Sequence, residues 1–204
     1  MSKLINGELQ DTKVTQKVFK SLHKGKIAKV NAIVVHQTGA PSAQHTFNSY
    51  QSASHGAHFL IDKQGTIYQT ALTNQIAHHV GRLKSKCIDQ PASCSASDLS
   101  SANAVYLQKG ISYSVRVKNL HTHEKAKTYP DRYPTNNDSV GIEIVGNYIA
   151  KNNAYEAVNA KQNASLKWLV SELSTHLGLQ TGDVYKHPTV SYKQPSEAST
   201  ASWQ

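Results

Sequence analysis

A chain of 204 residues in which 38% are hydrophobic is most simply one domain, 1–204, able to bury a real core. Eleven histidines against one methionine and three phenylalanines exceed what such a core absorbs, so most of them belong to the surface or to a site. A formal charge of +9, from 22 Lys and Arg against 13 Asp and Glu, favours polyanionic partners, among them anionic membranes and acidic wall polymers. No arginine-rich stripe is interleaved with aromatics, which argues against nucleic acid as a partner.

Met1 to Leu22 holds no apolar stretch of signal-peptide length, and no run approaches the roughly 20 residues needed to cross a bilayer. The expectation is synthesis in the bacterial cytoplasm and no transmembrane segment. Thr12 to Leu22 suits a short helix or an arm. Ala28 to Val35 ends in Ala32-Ile33-Val34-Val35, a β-branched run without helical caps, and predicts a buried strand with His36 at its end. Ser42, after the Gly39-Ala40-Pro41 turn, is placed to cap a helix reaching Tyr50 or Gln51. Ala57 to Ile61 and Thr66 to Thr70, on either side of Asp62-Lys63-Gln64-Gly65, predict a hairpin.

From about 82 to 133 the chain turns Lys- and Ser-rich and reads as an insertion, a functional flap rather than a bare loop. Ile111 to Val117 alternates as a strand would. Cys87 and Cys94 cannot make a four-cysteine zinc site, which leaves a small surface disulfide or two free thiols, the disulfide being favoured outside the cytosol. His121, His123 and Glu124 form a legitimate metal pattern, but in a polar insertion a solvated cluster is the simpler reading. Ser139 to Gly146 predicts another apolar strand, with Glu143 in its middle. Between Tyr155 and Leu177, the offsets of Leu166, Leu169, Val170, Leu173 and Leu177 mark one helical face, and Gly178 marks its stop. A short strand from Asp183 to Lys186 delivers His187, and the polar tail from Ser191 holds a short helix from Pro195 onward. Strands and helices interleave, so the class is α/β (α+β), a central mixed β-sheet flanked by helices.

Two distant segments, Val34 to Gly39 and Val184 to Glu197, each set a histidine where an apolar run stops. His36, His187 and a carboxylate would suit a catalytic zinc with one open position. Each histidine alone is explained as well by a surface or hydrogen-bonded role. Glu143 differs: between Ile142 and Ile144 its carboxylate must leave the core, pair, or stand in a cleft with a raised pKa.

Taken together, Ile33 to Gly39, Gly56 to Gln69, His79-Val80-Gly81, Ser139 to Glu143 and His187 to Glu197 occur in an order that resembles the zinc-dependent N-acetylmuramoyl-L-alanine amidases. That fold is shared by phage lysozyme-type amidases, cytosolic recycling amidases and peptidoglycan recognition proteins. The resemblance covers most of the chain outside 82–133. It implies that His36 and His187 bind zinc, that Glu143 lies beside the water which zinc activates, and that Lys193 supports the oxyanion. Two residues after Lys193, where many relatives carry an aspartate or cysteine ligand, this chain has Pro195; Glu197 is the expected third ligand and Asp183 the fallback. Some relatives carry a catalytic tyrosine where Ala57 stands, which shifts the acid–base role to Glu143. His79 is expected to contact substrate and His58 to be structural.

The activity so implied is hydrolysis of the amide between N-acetylmuramic acid and the L-alanine of the stem peptide, in peptidoglycan or a muropeptide. Charge, a disulfide and the insertion favour a wall-degrading toxin or lysin, acting in the periplasm after non-classical delivery and matched by an immunity protein. The alternatives are a cytosolic recycling amidase, a peptidase cutting within the stem, and a non-catalytic binding module that has lost the third ligand.

Overall fold

The computed structural model describes residues 2–52 and 55–204. It opens with a hairpin, β1 (Lys3–Ile5) and β2 (Glu8–Gln10), turned by Asn6 and Gly7, both at positive φ. Asn-Gly is the pair that tolerates a two-residue turn of this kind. The segment expected as a helix or an arm forms instead an edge strand, β3 (Val14–Gln16), and one 3₁₀ turn at Lys20–Leu22. Its backbone finds partners in the neighbouring strand: Lys17 N–H donates to Gln69 O and Phe19 N–H to Thr70 O.

The predicted buried strand is β4 (Ala32–Gly39), followed by α1 (Ala43–Ser52), where Ser42 Oγ accepts from His45 N–H. His36 therefore lies inside the strand rather than at its end. The ladder to the next strand continues past the apolar run, because backbone pairing is indifferent to side-chain polarity. The expected hairpin is β5 (Phe59–Ile61) and β6 (Ile67–Gln69), with Gly65 at φ +87° in its turn.

Residues 82–133 are largely helical: α2 (Lys86–Asp89), α3 (Ala96–Tyr106) and α4 (Tyr113–Lys125). The alternation at Ile111 to Val117 misled, because Ser112 caps α4 and the buried positions Val117, Leu120 and Glu124 follow a helical spacing. A disulfide joins Cys87 and Cys94. The solvated cluster expected at His121 to Glu124 does not form. Glu124 is 0% exposed and paired with Lys127 at 2.8 Å, while His121 Nδ1 accepts from Leu83 N–H.

The remaining elements are β7 (Ser139–Ile149), β8 (Ala154–Tyr155), α5 (Ala160–Leu177), β9 (Val184–Lys186) and α6 (His187–Val190). Helix α5 begins later than Tyr155 because Asn159 and Gln162 form a capping box; Gly178 ends it at φ +69°. The tail from Pro195 is a series of turns rather than a helix, with Ala198 at φ +51°.

The main sheet has the order β3-β6-β5-β7-β4-β9, with β8 added to β7. It is mixed: β5, β7, β4 and β9 run parallel, whereas β6 is antiparallel to β5. Alternation decides what each face receives. Ile33 and Val35 of β4 and Ile142 and Ile144 of β7 pack with Leu166, Leu169, Val170 and Leu173 of α5. Fully burying each such side chain contributes about 1.5–3 kcal/mol. Val34 faces the other way, into a smaller cluster with Val80, Leu83, Tyr133 and Val190. By the same parity His36 and Glu143 point away from α5, which is how a carboxylate survives in the middle of a buried strand.

Candidate metal centre and active-site cleft

Register brings the chemistry together. His36 is the ladder partner of Glu143 across β4 and β7, and Val35 is the partner of Lys186 across β4 and β9, so His187 emerges beside His36. The two rings lie 4.1 Å apart between centroids. All three residues gather toward the carboxyl ends of parallel strands, where open α/β sheets hold their ligands.

Glu197 arrives from the tail. Its N–H donates to Gln194 O at 2.9 Å, and the next residue, Ala198, donates to Gln37 Oε1 at 3.1 Å. Gln37 in turn donates to Glu156 O at 2.6 Å, so one side chain of β4 fastens the tail across the sheet. Glu197 Oε1 then stands 2.8 Å from His187 Nδ1 and 3.7 Å from His36 Nδ1. His36, His187 and Glu197 each offer one ligand atom within 4.8 Å of the others, and all three are buried. Among the described residues this is the one such group.

Burial pushes the His36 imidazole down to about 3, with His187 adding to the shift and Glu197 opposing it. His36 is therefore neutral at physiological pH, as a ligand must be. Burial raises the Glu197 carboxyl, but the hydrogen bond with His187 and the nearby His36 ring outweigh it and hold it at about 2. Two imidazole nitrogens and one carboxylate oxygen form a donor set that zinc takes readily. The residues present fit the ion that the fold implies.

The cleft has a volume of about 520 Å³, and His36, Glu143, His187, Lys193 and Glu197 all line it. Glu143 Oε2 is enclosed yet has no hydrogen-bond partner in the protein. Burial, reinforced by the charge of Glu197 and opposed by Lys193, pushes its carboxyl up to about 8. Lys193 is exposed at the rim.

His79 also lines the cleft, but its ring nitrogens are engaged inside the protein, Nδ1 at 3.0 Å from His36 Nε2 and Nε2 at 3.3 Å from Ser139 O. His58 is buried and structural: its Nε2 meets Gln75 O and its Nδ1 accepts from Gly141 N–H. Asp183 stands outside the cluster, bonded to Tyr129 and to the Gln180 N–H. Sequence reasoning passed over Tyr50, Gln37 and Asn136. Tyr50 reaches the cleft from α1, and its hydroxyl accepts from the N–H of Ala57 at 3.3 Å, the position at which some relatives carry their tyrosine. Nothing short of the fold relates α1 to that position.

A buried pair of imidazoles with a carboxylate, opening on a cleft with a second, unpartnered carboxylate, defines a hydrolase-type site able to hold a divalent metal. Residues 26–200 match the sequence profile of the family described as N-acetylmuramoyl-L-alanine amidase. The chain belongs to that family and is a peptidoglycan amidase. Among solved structures, a selenomethionine derivative of AmpD is similar with a TM-score of 0.54 and 16% identity, over 94% of this chain and 89% of that one. PlyL is similar with a TM-score of 0.52 and 14% identity, over 88% and 84%. AmpDh3 from Pseudomonas aeruginosa gives 0.51 and 15%, over 82% of this chain and 53% of that one. At such identities these likenesses speak for the fold. No curated protein sequence matches the chain.

Proposed function

We propose that the chain is a zinc-dependent amidase that cuts between N-acetylmuramic acid and the L-alanine of the stem peptide, with His36, His187 and Glu197 as metal ligands. The observation that carries this is the convergence of those three donors beside an unpartnered Glu143 in one cleft. When bound, zinc supplies Lewis acidity, activating water and polarising the scissile carbonyl. Glu143 takes the proton of the attacking water and returns it to the departing L-alanine amine; burial raises its pKa and a dication beside it would bring it back toward neutrality, which suits both duties. Lys193, a cation at the cleft, balances charge that develops on the carbonyl oxygen. His79 forms part of the wall against which substrate lies.

The finer role we propose is that of a wall-degrading toxin or lysin acting in the periplasm, with an immunity protein in the producing cell. The Cys87–Cys94 disulfide supports an oxidising compartment over a cytosolic recycling role. The charge of +9 supports attachment to acidic wall polymer.

Purified sacculi digested by the zinc-loaded chain should yield stem peptides with a free L-alanine amine, read by mass spectrometry, and metal analysis should find about one zinc per chain. A new amine on an inner stem residue would make it a peptidase. Zinc uptake and binding of intact muropeptides without any cleavage would make it a recognition module.

A further inference from the structure

Behind the metal centre, hydrogen bonds occupy the far nitrogen of each candidate histidine ligand. Ser139 Oγ donates to Thr135 O at 2.6 Å, so toward His79 it can only accept, as can the Ser139 carbonyl oxygen; both lie 3.3 Å from His79 Nε2. The proton of a neutral His79 therefore sits on Nε2, and its Nδ1 is a bare lone pair. That lone pair is 3.0 Å from His36 Nε2, so His36 must donate from Nε2, and its own Nδ1 is left bare toward Glu197. On the other side His187 Nε2 lies 2.8 Å from Val80 O, again a pure acceptor, so Nε2 donates there and Nδ1, 2.8 Å from Glu197 Oε1, is the nitrogen that faces the metal site. Both constraints issue from adjacent residues, the side chain of His79 and the carbonyl of Val80. The N–H groups of these two residues both donate to Asn136 Oδ1, at 2.9 and 2.8 Å.

We infer that His79, Val80 and Asn136 form a positioning layer that fixes His36 and His187 in the Nε2–H tautomer, so that both present Nδ1 to a metal ion together with Glu197. The inference rests on the zinc reading above. It assigns His79 a role behind the ligands in addition to its place in the cleft wall, and it gives Asn136 a function. Groups that hold the far nitrogen of a ligating histidine are worth about 10–100-fold in metal affinity.

Two measurements test it. In the zinc-loaded wild type, long-range ¹H–¹⁵N correlation spectra of the imidazoles should place protons on Nε2 of His36, His79 and His187 and none on Nδ1 of His36 or His187. A proton on Nδ1 of His36 or His187 would overturn the inference. Zinc affinity, read by competition with a chromophoric chelator, should fall about 10–100-fold in His79→Leu and in Asn136→Ala. His79→Asn, which keeps an oxygen acceptor near the place of Nδ1, should recover most of the loss. Unchanged affinity in folded His79→Leu and Asn136→Ala would overturn the inference while leaving the zinc reading intact. A wild type that takes up no zinc would instead sink the functional reading on which the inference rests.

Discussion

Glu143 lies between two buried isoleucines in sequence but on the opposite face of β7, and its carboxyl is pushed up to about 8 because burial, helped by Glu197, disfavours its charge. The folded chain thus holds this proton more tightly than the unfolded chain, whose carboxyl titrates near its ordinary 4.5. The associated stability is full below 4.5 and is lost as pH rises through about 8. In the metal-free protein, urea midpoints should therefore fall between pH 5 and pH 9 for wild type more than for Glu143→Gln; parallel pH profiles would contradict the linkage. A dication nearby favours the carboxylate, so in the zinc-loaded enzyme the acid limb of the pH–rate profile should lie below 8. Glu143→Gln should keep its zinc yet lose about 10²–10⁴-fold in turnover, and near-normal hydrolysis by that variant would remove Glu143 from the mechanism. His187→Ala should lose the metal itself, and full zinc occupancy in that variant would refute the ligand set.

Among the elements, β7 does the most for the site. It delivers Glu143 beside His36, and two residues earlier, on the same face, Gly141 leaves room for His79. A Cβ on Gly141 would lie 2.8 Å from His79 Nδ1 and 3.1 Å from the Ala57 Cβ, and the ring is held on both sides and cannot retreat freely. Gly141→Ala should destabilise the fold by about 1–3 kcal/mol, measured by denaturant unfolding, and should weaken zinc binding as His79 is displaced. An alanine variant with wild-type stability would mean that the ring yields more easily than its hydrogen bonds suggest. Helix α5 supplies the opposite face with a floor rather than chemistry. Its capping box at Asn159 bears on the fold alone.

For the molecule as a whole, the excess of positive charge acts through long-range attraction, which salt screens. Co-sedimentation with acidic sacculi should weaken several-fold as NaCl rises from about 0.05 to 0.5 M, where the Debye length shrinks to a few ångströms. Salt-independent association would point to contacts other than charge. The elements of the core were legible from local pattern: the apolar runs at Ala32 to Val35 and Ser139 to Gly146, the helical spacing from Leu166 to Leu177, and the glycine turn of the hairpin. Where local pattern competed with a partner, it failed. Val14 to Gln16 became a strand because β6 offered an edge, and Ile111 to Val117 became helical because Ser112 capped it. The sequence by itself determined which donors exist and, through their order, the family they belong to. Only the tertiary structure decided that Glu197 rather than Asp183 closes the group, that the His79 ring lies against His36, and that Tyr50 and Asn136 stand at the site. The reason is physical: side-chain parity and caps are local, whereas parallel register and the path of a tail are fixed by residues more than a hundred positions away, as Gln37 shows by holding Ala198.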